Sequence, residues 1–455
     1  MLVFLKRYQV LVLSIIVLVG IINVVPTVIP TVYVLLVLAF FTYKKEIPSF
    51  LILFYLVLLF SDSRQEIMWW ARDAKIVATL FLPINLIAVK NEIKFSSRFT
   101  VYLMPFLVIA WITVFYAFEP IMSLQKTLAY TLIVVCIPAL FLYCYQHNRK
   151  FLLDLVYMFT GIFLVGIVLI FLAPNFVLLE ATGRFTGLLG NPNGMGIFIT
   201  VVFLYYQAVS RSKLIQLDRK EKIVFFIVLF YSLYLCKSRT AMMTVIIFYA
   251  LNAVYNYSHF FGWIAFGVIA YMWSEILEAI PLVTDYFGFS EDLRVESVEK
   301  IKRGSGRDIA WMYAWQNIKE NIFLGHGLSS TEELFRRHIK ELSILGHQGN
   351  AHNTFLTLWY DTGLHGLIAF IIGLLAFFLK VGKTLPFGMP ILFSILFSIS
   401  YESWLSASLN PYTSVFFIIV TLLGLLTFDS HALNHENVEV ETEESKEEAI
   451  LKPAV

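Results

Sequence analysis

Charge is scarce in this sequence. Asp, Glu, Lys and Arg make up 15% of its 455 residues, whereas soluble domains carry about 25%. Hydrophobic residues make up 59%, and the mean hydropathy is +0.76. This composition excludes an ordinary soluble multidomain protein. Because apolar runs long enough to cross a bilayer recur along the chain, we predict an all-α polytopic membrane protein.

Cysteine is also scarce, and neither sign of charge dominates. The three cysteines, Cys136, Cys144 and Cys236, lie in apolar runs without CxxC or metal-ligand spacing, which excludes a disulfide framework. The net charge of +2 indicates no nucleic-acid partner. The sequence has no P-loop and no GxGxxG motif in a strand–helix context. We therefore predict neither a cofactor nor a metal.

The apolar runs are the main structural signal. Two of the candidate spans are short, so the predicted number of transmembrane helices is about 12–14. The first run follows Lys6 and Arg7 and lacks an A-x-A cleavage site, which predicts a retained first helix. The candidate spans are residues 8–25, 28–43, 48–61, 76–89, 99–118, 127–145, 151–173, 194–209, 223–236, 240–256, 260–279, 363–380, 386–404 and 412–428.

Basic residues predict how these spans are oriented. They gather in alternate loops, including the N-terminus and residues 211–222, and basic loops favour the cytoplasm. Both termini are then inside. We expect four parts: about eleven transmembrane helices in residues 1–279, a large outer loop at 280–362, the last three transmembrane helices at 363–428, and an acidic, disordered tail at 429–455.

Two helices are predicted in the outer loop. The run from Ser305 to Asp308 resembles a capping box, and Trp311, Met312, Trp315 and Ile318 follow at helical spacing. This pattern predicts an amphipathic helix on the membrane surface.

The second helix is predicted nearer the end of the loop. It is expected to run from about Ala351 to Thr362, with Asn350 as its cap and Gly363 as its stop. Trp359 and Tyr360 suit an interfacial belt.

Three arginines on the predicted outer side are candidates for binding an anion. Arg239 lies between two apolar runs, where a lipid-facing arginine costs roughly 2.5–3.5 kcal/mol at helix-centre depth; the alternative is a snorkelling side chain. Arg307 is in the first turn of a predicted helix, where an arginine and the helix N-terminus form a phosphate site; the alternative is a local pair with Asp308. Arg184 is either a third anion ligand or an ordinary loop residue.

Polar residues beside these arginines complete the candidate site. In the GNPNG turn, Asn191 or Asn193 either caps the next helix or binds a polar ligand with its amide. His352 is the candidate general base, with a structural role as the alternative, and Asn353 beside it is a candidate substrate-binding residue. Glu402 lies near the outer end of a span and is expected to pair with another group. His326, His338 and His347 are expected to be solvated loop residues.

The order of four motifs resembles a known family. GRFTGLLGNPNGMG precedes one span, SRTA follows two spans later, GSGRDIAWMYAWQNIKENIFLGHG lies in the outer loop, and AHNTFLTLWYDTGLHG precedes the last spans. Over about residues 150–430 the chain resembles the O-antigen ligase/polymerase superfamily of membrane glycosyltransferases. The resemblance implies a GT-C-like helical fold with one large periplasmic loop. It also implies a polyprenyl-diphosphate-linked glycan as donor, used on the periplasmic face of the bacterial inner membrane.

The resemblance also assigns roles to residues. The family's essential histidine corresponds to His352 and its essential arginines to Arg239 and Arg307, while Arg184 matches a further basic position. The implied reaction is inverting and independent of metal. It requires three partners: the carrier-linked donor, a lipid or glycan acceptor, and the bilayer.

Several functions remain open at this stage. A ligase that uses lipid A–core as acceptor is favoured, because GSGRD and HNTFL are ligase-like. The alternatives within the family are a polysaccharide polymerase and, less favoured, a protein O-oligosaccharyltransferase. A transporter or flippase for lipid-linked sugars is an alternative of another class, but it predicts charges deep within several helices, whereas the charges here gather at outer helix ends.

Overall fold

The computed structural model describes residues 2–22, 27–272, 307–345 and 349–429. These residues are almost entirely helical. The α-helices are α1 (Leu2–Arg7), α2 (Gln9–Ile22), α3 (Val28–Lys44), α4 (Ile47–Ser61), α5 (Trp69–Val89), α6 (Arg98–Val114), α7 (Pro120–His147), α8 (Phe151–Leu172), α9 (Pro174–Val177), α10 (Pro192–Ser212), α11 (Arg219–Cys236), α12 (Arg239–Tyr257), α13 (His259–Tyr271), α14 (Arg307–Ile318), α15 (Ser330–Arg337), α16 (Ile339–Ile344), α17 (Thr354–Thr384), α18 (Gly388–Tyr401) and α19 (Pro411–Phe428).

Short elements join some of these helices. A two-stranded antiparallel sheet pairs β1 (Leu178–Leu179) with β2 (Arg184–Phe185). Single 3₁₀ turns lie at Glu66–Met68, Lys90–Glu92, Gly187–Leu189 and Trp404–Ser406.

The all-α polytopic membrane fold is confirmed. Every predicted span overlaps one of the described helices. Five helices, α7, α8, α10, α17 and α19, are long and apolar enough to cross a membrane, and six shorter apolar helices are α2, α3, α4, α6, α13 and α18. The number of spans and the side to which each loop faces stay predictions. The predicted tail and the first part of the outer loop fall largely outside the described residues.

The core lies around α4, α10 and α19. These helices are apolar on nearly every face, and a helix of that kind is stable only when other helices surround it. Helix α19 packs against α10, α7, α6 and α17. At the join between α6, α17 and α19, the Phe99 ring lies 4.9 Å from Phe377 and 5.7 Å from Phe416 in edge-on arrangements. Helices α2 and α3 instead expose apolar side chains, as expected for helices that face lipid.

Residues 307–345 and 349–362 form a small packed unit, here called the outer segment after its predicted position. Its core contains Ala310 and Ala314 of α14, Phe335 of α15 and Leu342 of α16. The predicted position of α14 on the membrane surface stays a prediction. Met312 is 64% exposed, and the buried face carries Ala310, Ala314 and Ile318 instead. Small alanines let α14 approach its neighbours closely, and Trp311 and Tyr313 pack at the edge of this core.

Helix α17 begins and bends at particular residues. The predicted cap was wrong: the helix starts at Thr354, and the Asn353 side chain, not Asn350, caps it by accepting from the Leu356 N–H at 3.0 Å. The predicted stop at Gly363 is a break rather than an end. Gly363 has φ 70° and ψ 178°, which essentially only glycine adopts, and a helix continues beyond it to Thr384. The capping box proposed at Ser305 lies outside the described residues.

Candidate functional site

One carboxylate joins two of the predicted site residues. Glu402 follows the last residue of α18 and is only 5% exposed. Its Oε1 accepts a hydrogen bond from Nη2 of Arg307, at the first position of α14. Its Oε2 lies 3.1 Å from Nδ1 of His352. Arg307 and His352, which are distant in sequence, therefore meet at Glu402.

The contact with Glu402 also indicates which nitrogen of the His352 ring carries hydrogen. A carboxylate accepts hydrogen bonds and does not donate them, so Nδ1 of His352 must carry the hydrogen. In the neutral ring the Nε2 atom then presents a lone pair. The His352 side chain is 26% exposed, so the ring is accessible to a substrate. This is the arrangement that a histidine base requires.

The backbone around His352 is held in an unusual conformation. His352 has φ +45°, a region that non-glycine residues rarely occupy. The Asn350 side chain accepts the His352 N–H at 2.8 Å, and Thr354 Oγ1 donates to the Glu402 carbonyl at 2.9 Å. Local hydrogen bonds therefore hold the start of α17 against the residue that follows α18.

Arg239 is close to this cluster through its neighbour. It is the first residue of α12, after a two-residue turn in which Lys237 has φ +48°. The next residue, Thr240, has its Oγ1 3.3 Å from Nη1 of Arg307. The N-termini of α12 and α14 therefore meet at this contact, and each begins with an arginine.

Arg184 braces the backbone behind Arg239. Its side chain is buried, with Nε donating to the Cys236 carbonyl at 2.9 Å and Nη2 lying 3.4 Å from the Lys237 carbonyl. These carbonyls end α11, where backbone oxygens lack helical partners. Nη2 also donates to Asn193 Oδ1 at 3.0 Å. A direct contact between Arg184 and substrate stays a prediction.

The two candidate asparagines have structural partners. Asn191 caps α10 by accepting the Asn193 N–H at 3.0 Å, and the Asn193 side chain is bound by Arg184. Asn353 caps α17. Substrate contacts by Asn193 and Asn353 stay predictions. The N-terminus of α10 packs tightly on the turn before Arg239, because a Cβ on Gly196 would lie 2.6 Å from the Ser238 side chain.

Two other histidines serve the packing of the outer segment. Nδ1 of His326 is 3.1 Å from the Tyr360 carbonyl, and its ring stacks on Tyr360. Nδ1 of His338 is 3.0 Å from the Leu334 carbonyl. Both side chains are half-buried rather than fully solvated as predicted. His347 lies outside the described residues.

Sequence reasoning missed the importance of two acids. Glu402 was expected to pair, but its partners were not foreseen. Asp361 is buried, and its carboxylate accepts from the Ser329 N–H at 3.0 Å, the Thr331 N–H at 2.8 Å and Thr331 Oγ1 at 2.7 Å. It ties the start of α15 to α17. The only signal in the sequence was an acid directly before a Thr-Gly break with no basic residue near it.

An apolar cavity lies close to the group formed by Glu402, Arg307 and His352. It has a volume of about 120 Å³ and lies between α12, α13 and α18. It extends to Tyr401, the residue before Glu402, and the Tyr401 ring is 5.7 Å from Trp311 of α14. Among the described side chains, no group of three or more His, Cys, Asp or Glu is arranged to hold a metal ion.

A comparison with protein families covers part of the chain. Residues 224–371 match a family model described as O-antigen ligase, from α11 to the first part of α17. The match contains Arg239, Arg307 and His352, whereas Arg184 and Glu402 lie outside it. No curated protein matches the chain. Together with the helical membrane fold, the match over residues 224–371 supports the resemblance of this chain to the O-antigen ligase/polymerase superfamily of membrane glycosyltransferases.

Proposed function

We propose that this protein transfers a glycan from a polyprenyl diphosphate carrier to an acceptor hydroxyl at the periplasmic face of the bacterial inner membrane. The observation that carries the proposal is the Glu402 carboxylate, which contacts both Arg307 and His352. Group transfer from a diphosphate needs a base for the acceptor and positive charge for the leaving group. The two partners of Glu402 have these two properties.

His352 acts as the general base. The acceptor hydroxyl loses its proton to Nε2 as its oxygen bonds to the anomeric carbon of the donor sugar. The bond from that carbon to the diphosphate oxygen breaks, and the electron pair leaves with the diphosphate. Glu402 orients the ring through Nδ1 and stabilises the positive charge that the ring gains. Attack on the face opposite the leaving group inverts the anomeric configuration.

Arg307 and Arg239 stabilise the diphosphate as it leaves. They begin α14 and α12, whose positive dipole ends meet at the contact between Arg307 and Thr240. Arginine and helix N-termini both favour phosphate oxygens. Arg184 holds the turn before Arg239 and so positions that arginine. The apolar cavity beside Tyr401 offers space for the first part of the donor's lipid tail.

The acceptor decides between two reactions in this family. We favour a ligase, with lipid A–core as acceptor, because the GSGRD and HNTFL motifs are ligase-like. A polymerase that uses the same donor and a second carrier-linked repeat unit is the other candidate. Both reactions use the same base and the same arginines.

The proposal is tested with purified protein in lipid nanodiscs, supplied with carrier-linked glycan and lipid A–core. His352→Ala is expected to lower kcat about 10²–10⁴-fold, the usual contribution of a general base. His338→Ala is the matched control, since His338 also lies in the outer segment but contacts only local groups. Unchanged transfer in His352→Ala would exclude the base assignment. Movement of the carrier lipid across the bilayer by wild-type protein, without transfer, would favour the transporter instead.

A further inference from the structure

A second group of charged side chains lies outside the proposed catalytic cluster. It contains four cations and two carboxylates, and we call it the basic basin. Its members come from the turn between α4 and α5, from α5 itself, from the N-terminal part of α7 and from α15: Asp62, Arg64, Arg72, Lys75, Lys126 and Glu332. None of these residues is used in the mechanism above.

Contacts and electrostatics join the six groups into one site. Lys126 Nζ lies 2.6 Å from Glu332 Oε1, and the Tyr412 hydroxyl donates to Asp62 at 2.5 Å. Lys126, the Ser329 hydroxyl and then Lys75 hold the pKa of Glu332 below its usual value. Lys75 also acts on Asp62, together with Arg64 and Arg72. Helix α5, which carries Lys75, packs against α7, which carries Lys126, so the two halves of the basin lie side by side.

The basin is accessible to solvent. Glu332 is 54% exposed, and Asp62 is exposed as well. Burial nevertheless raises the pKa of Asp62, against the opposing effects of Tyr412 and three nearby cations. A ligand beside Asp62 therefore meets a partly desolvated environment, where charge–charge interactions are stronger than in water.

Two cations of the basin have no hydrogen-bonded partner among the described residues. Arg72 donates to the Ser63 carbonyl at 2.8 Å, and Lys126 is paired with Glu332. Within the described part of the chain, the Arg64 and Lys75 side chains form no hydrogen bond or ion pair. Four cations therefore share two carboxylates. Positive charge in excess attracts anions, and a phosphate would supply the missing acceptors.

The N-terminus of α10 lies between the basin and the arginine Arg184, which holds the turn before Arg239. A Cβ on Gly190 would lie 2.7 Å from the backbone nitrogen of Arg64. A Cβ on Gly194 would lie 2.7 Å from the Tyr412 hydroxyl. The GNPNG turn therefore forms one wall of the basin. On the same turn, Asn193 binds Arg184, which reaches the backbone just before Arg239. The N-terminus of α10 thus links the basin to the turn before Arg239.

We propose that the basic basin binds a phosphate group of the acceptor glycolipid and so delivers the acceptor hydroxyl toward His352. This inference rests on the proposed function, in which the donor diphosphate occupies Arg239 and Arg307. The phosphate has two sources of the same chemistry. In a ligase it is carried by the phosphorylated core, and in a polymerase it is the diphosphate of a second carrier-linked repeat unit.

The test removes the charges of Arg64 and Lys75 together. Arg64→Gln/Lys75→Gln is expected to raise the KM for the acceptor about tenfold or more, since one charged hydrogen bond corresponds to at least a tenfold change in affinity. The kcat and the Kd for carrier-linked donor are expected to stay within about twofold of wild type. Arg336→Gln/Lys340→Gln is the matched control, because it removes two cations from α15 and α16 in the same predicted outer segment. The thermal unfolding of each variant is measured first.

Four acceptors are compared to distinguish the two phosphate sources. They are phosphorylated lipid A–core, the same core after enzymatic dephosphorylation, a carrier-linked repeat unit, and the repeat unit released from its carrier. The core with and without phosphate forms one pair, and the repeat unit with and without its carrier forms the other. In Arg64→Gln/Lys75→Gln the KM is expected to increase only for the phosphate-bearing member of one pair, and that pair identifies the acceptor class. An unchanged KM for both phosphate-bearing acceptors, or an equal increase for a dephosphorylated one, would overturn the inference.

A binding measurement keeps the inference separate from the proposed function. If wild-type protein transfers glycan to neither acceptor, the proposed function fails. Binding of phosphorylated lipid A–core and of carrier-linked repeat unit is then compared between wild type and Arg64→Gln/Lys75→Gln. Weaker binding of one of them in the variant supports an anion site in the basin, and equal binding of both rejects it.

Discussion

The Nδ1 atom of His352 lies 3.1 Å from a carboxylate oxygen of Glu402, across fifty residues of sequence. The other oxygen of the same carboxylate accepts from Arg307. A single buried acid thus sets the relative positions of the proposed base and of a proposed diphosphate ligand. Glu402 is therefore a positioning residue: it holds Arg307 and His352 in place and is assigned no substrate contact of its own.

Replacing Glu402 with Gln is expected to reduce transfer strongly. Gln has the same shape, but one of its two terminal groups donates and the other accepts, so it cannot accept from both Arg307 and His352. If its amide nitrogen faces His352, the ring must carry its hydrogen on Nε2 and cannot take the acceptor's proton. We expect single-turnover transfer to fall on the order of 10²-fold or more.

The matched control for Glu402 is Glu341→Gln, which neutralises an exposed acid on α16. It is expected to leave transfer unchanged. Glu402→Gln protein that unfolds at the wild-type temperature and transfers at the wild-type rate would exclude a positioning role for this carboxylate.

Arg307 is expected to require the fork shape of arginine as well as its charge. Its two terminal nitrogens contact Glu402 and Thr240, and a lysine ammonium at this position cannot reproduce both contacts. Arg307→Ala should weaken binding of carrier-linked glycan about tenfold or more, and Arg307→Lys should recover only part of the loss. The measurement is the Kd of the donor without acceptor, with Arg336→Ala as control. Equal donor affinity in wild type and Arg307→Ala would contradict the diphosphate role.

Asp361 is expected to stabilise the outer segment without acting in chemistry. Its carboxylate accepts three hydrogen bonds from Ser329 and Thr331, and its removal would leave buried donors unsatisfied. A single lost hydrogen bond to a buried charged group costs about 1.5–3 kcal/mol. Asp361→Ala should therefore lower the unfolding temperature and open residues 325–331 to limited proteolysis. Asp308→Ala, at an exposed position of α14, is the control, and equal protease resistance of both variants would refute the tether.

Gly363→Ala is expected to destabilise the bend in α17. The residue has φ 70° and ψ 178°, a conformation that costs an L-residue on the order of 1–3 kcal/mol, and an added Cβ would collide with the Phe323 carbonyl. Gly267→Ala provides the comparison, because Gly267 is helical and its Cβ would meet no atom within 4 Å. We expect a lower unfolding temperature for Gly363→Ala alone. Equal unfolding temperatures would show that the chain relieves the collision at no cost.

The local features of this protein followed from its sequence. Apolar runs predicted the helices because the free energy of burying a run depends on its own composition and length. An interruption at Gly363 and the turn at residues 190–194 were predictable for the same reason, since turn chemistry involves neighbouring residues. The continuation of α17 through Gly363 to Thr384 was not predicted, because the sequence indicated two separate helices there. Predictions were less accurate where two local solutions compete, as at the start of α17, where both Asn350 and Asn353 can act as caps and only one does.

Pairing between distant groups was decided by tertiary structure. Glu402 is fifty residues from His352 and ninety-five from Arg307, and nothing in its own neighbourhood specifies either partner. The packing of α12, α14, α17 and α18 brings the three side chains together. The same holds for Arg184, whose partners are backbone carbonyls about fifty residues away. Composition and motif order therefore determined the fold class and the family resemblance, whereas helix packing determined which charge lies beside which, because electrostatic contacts depend on distance in space and not along the chain.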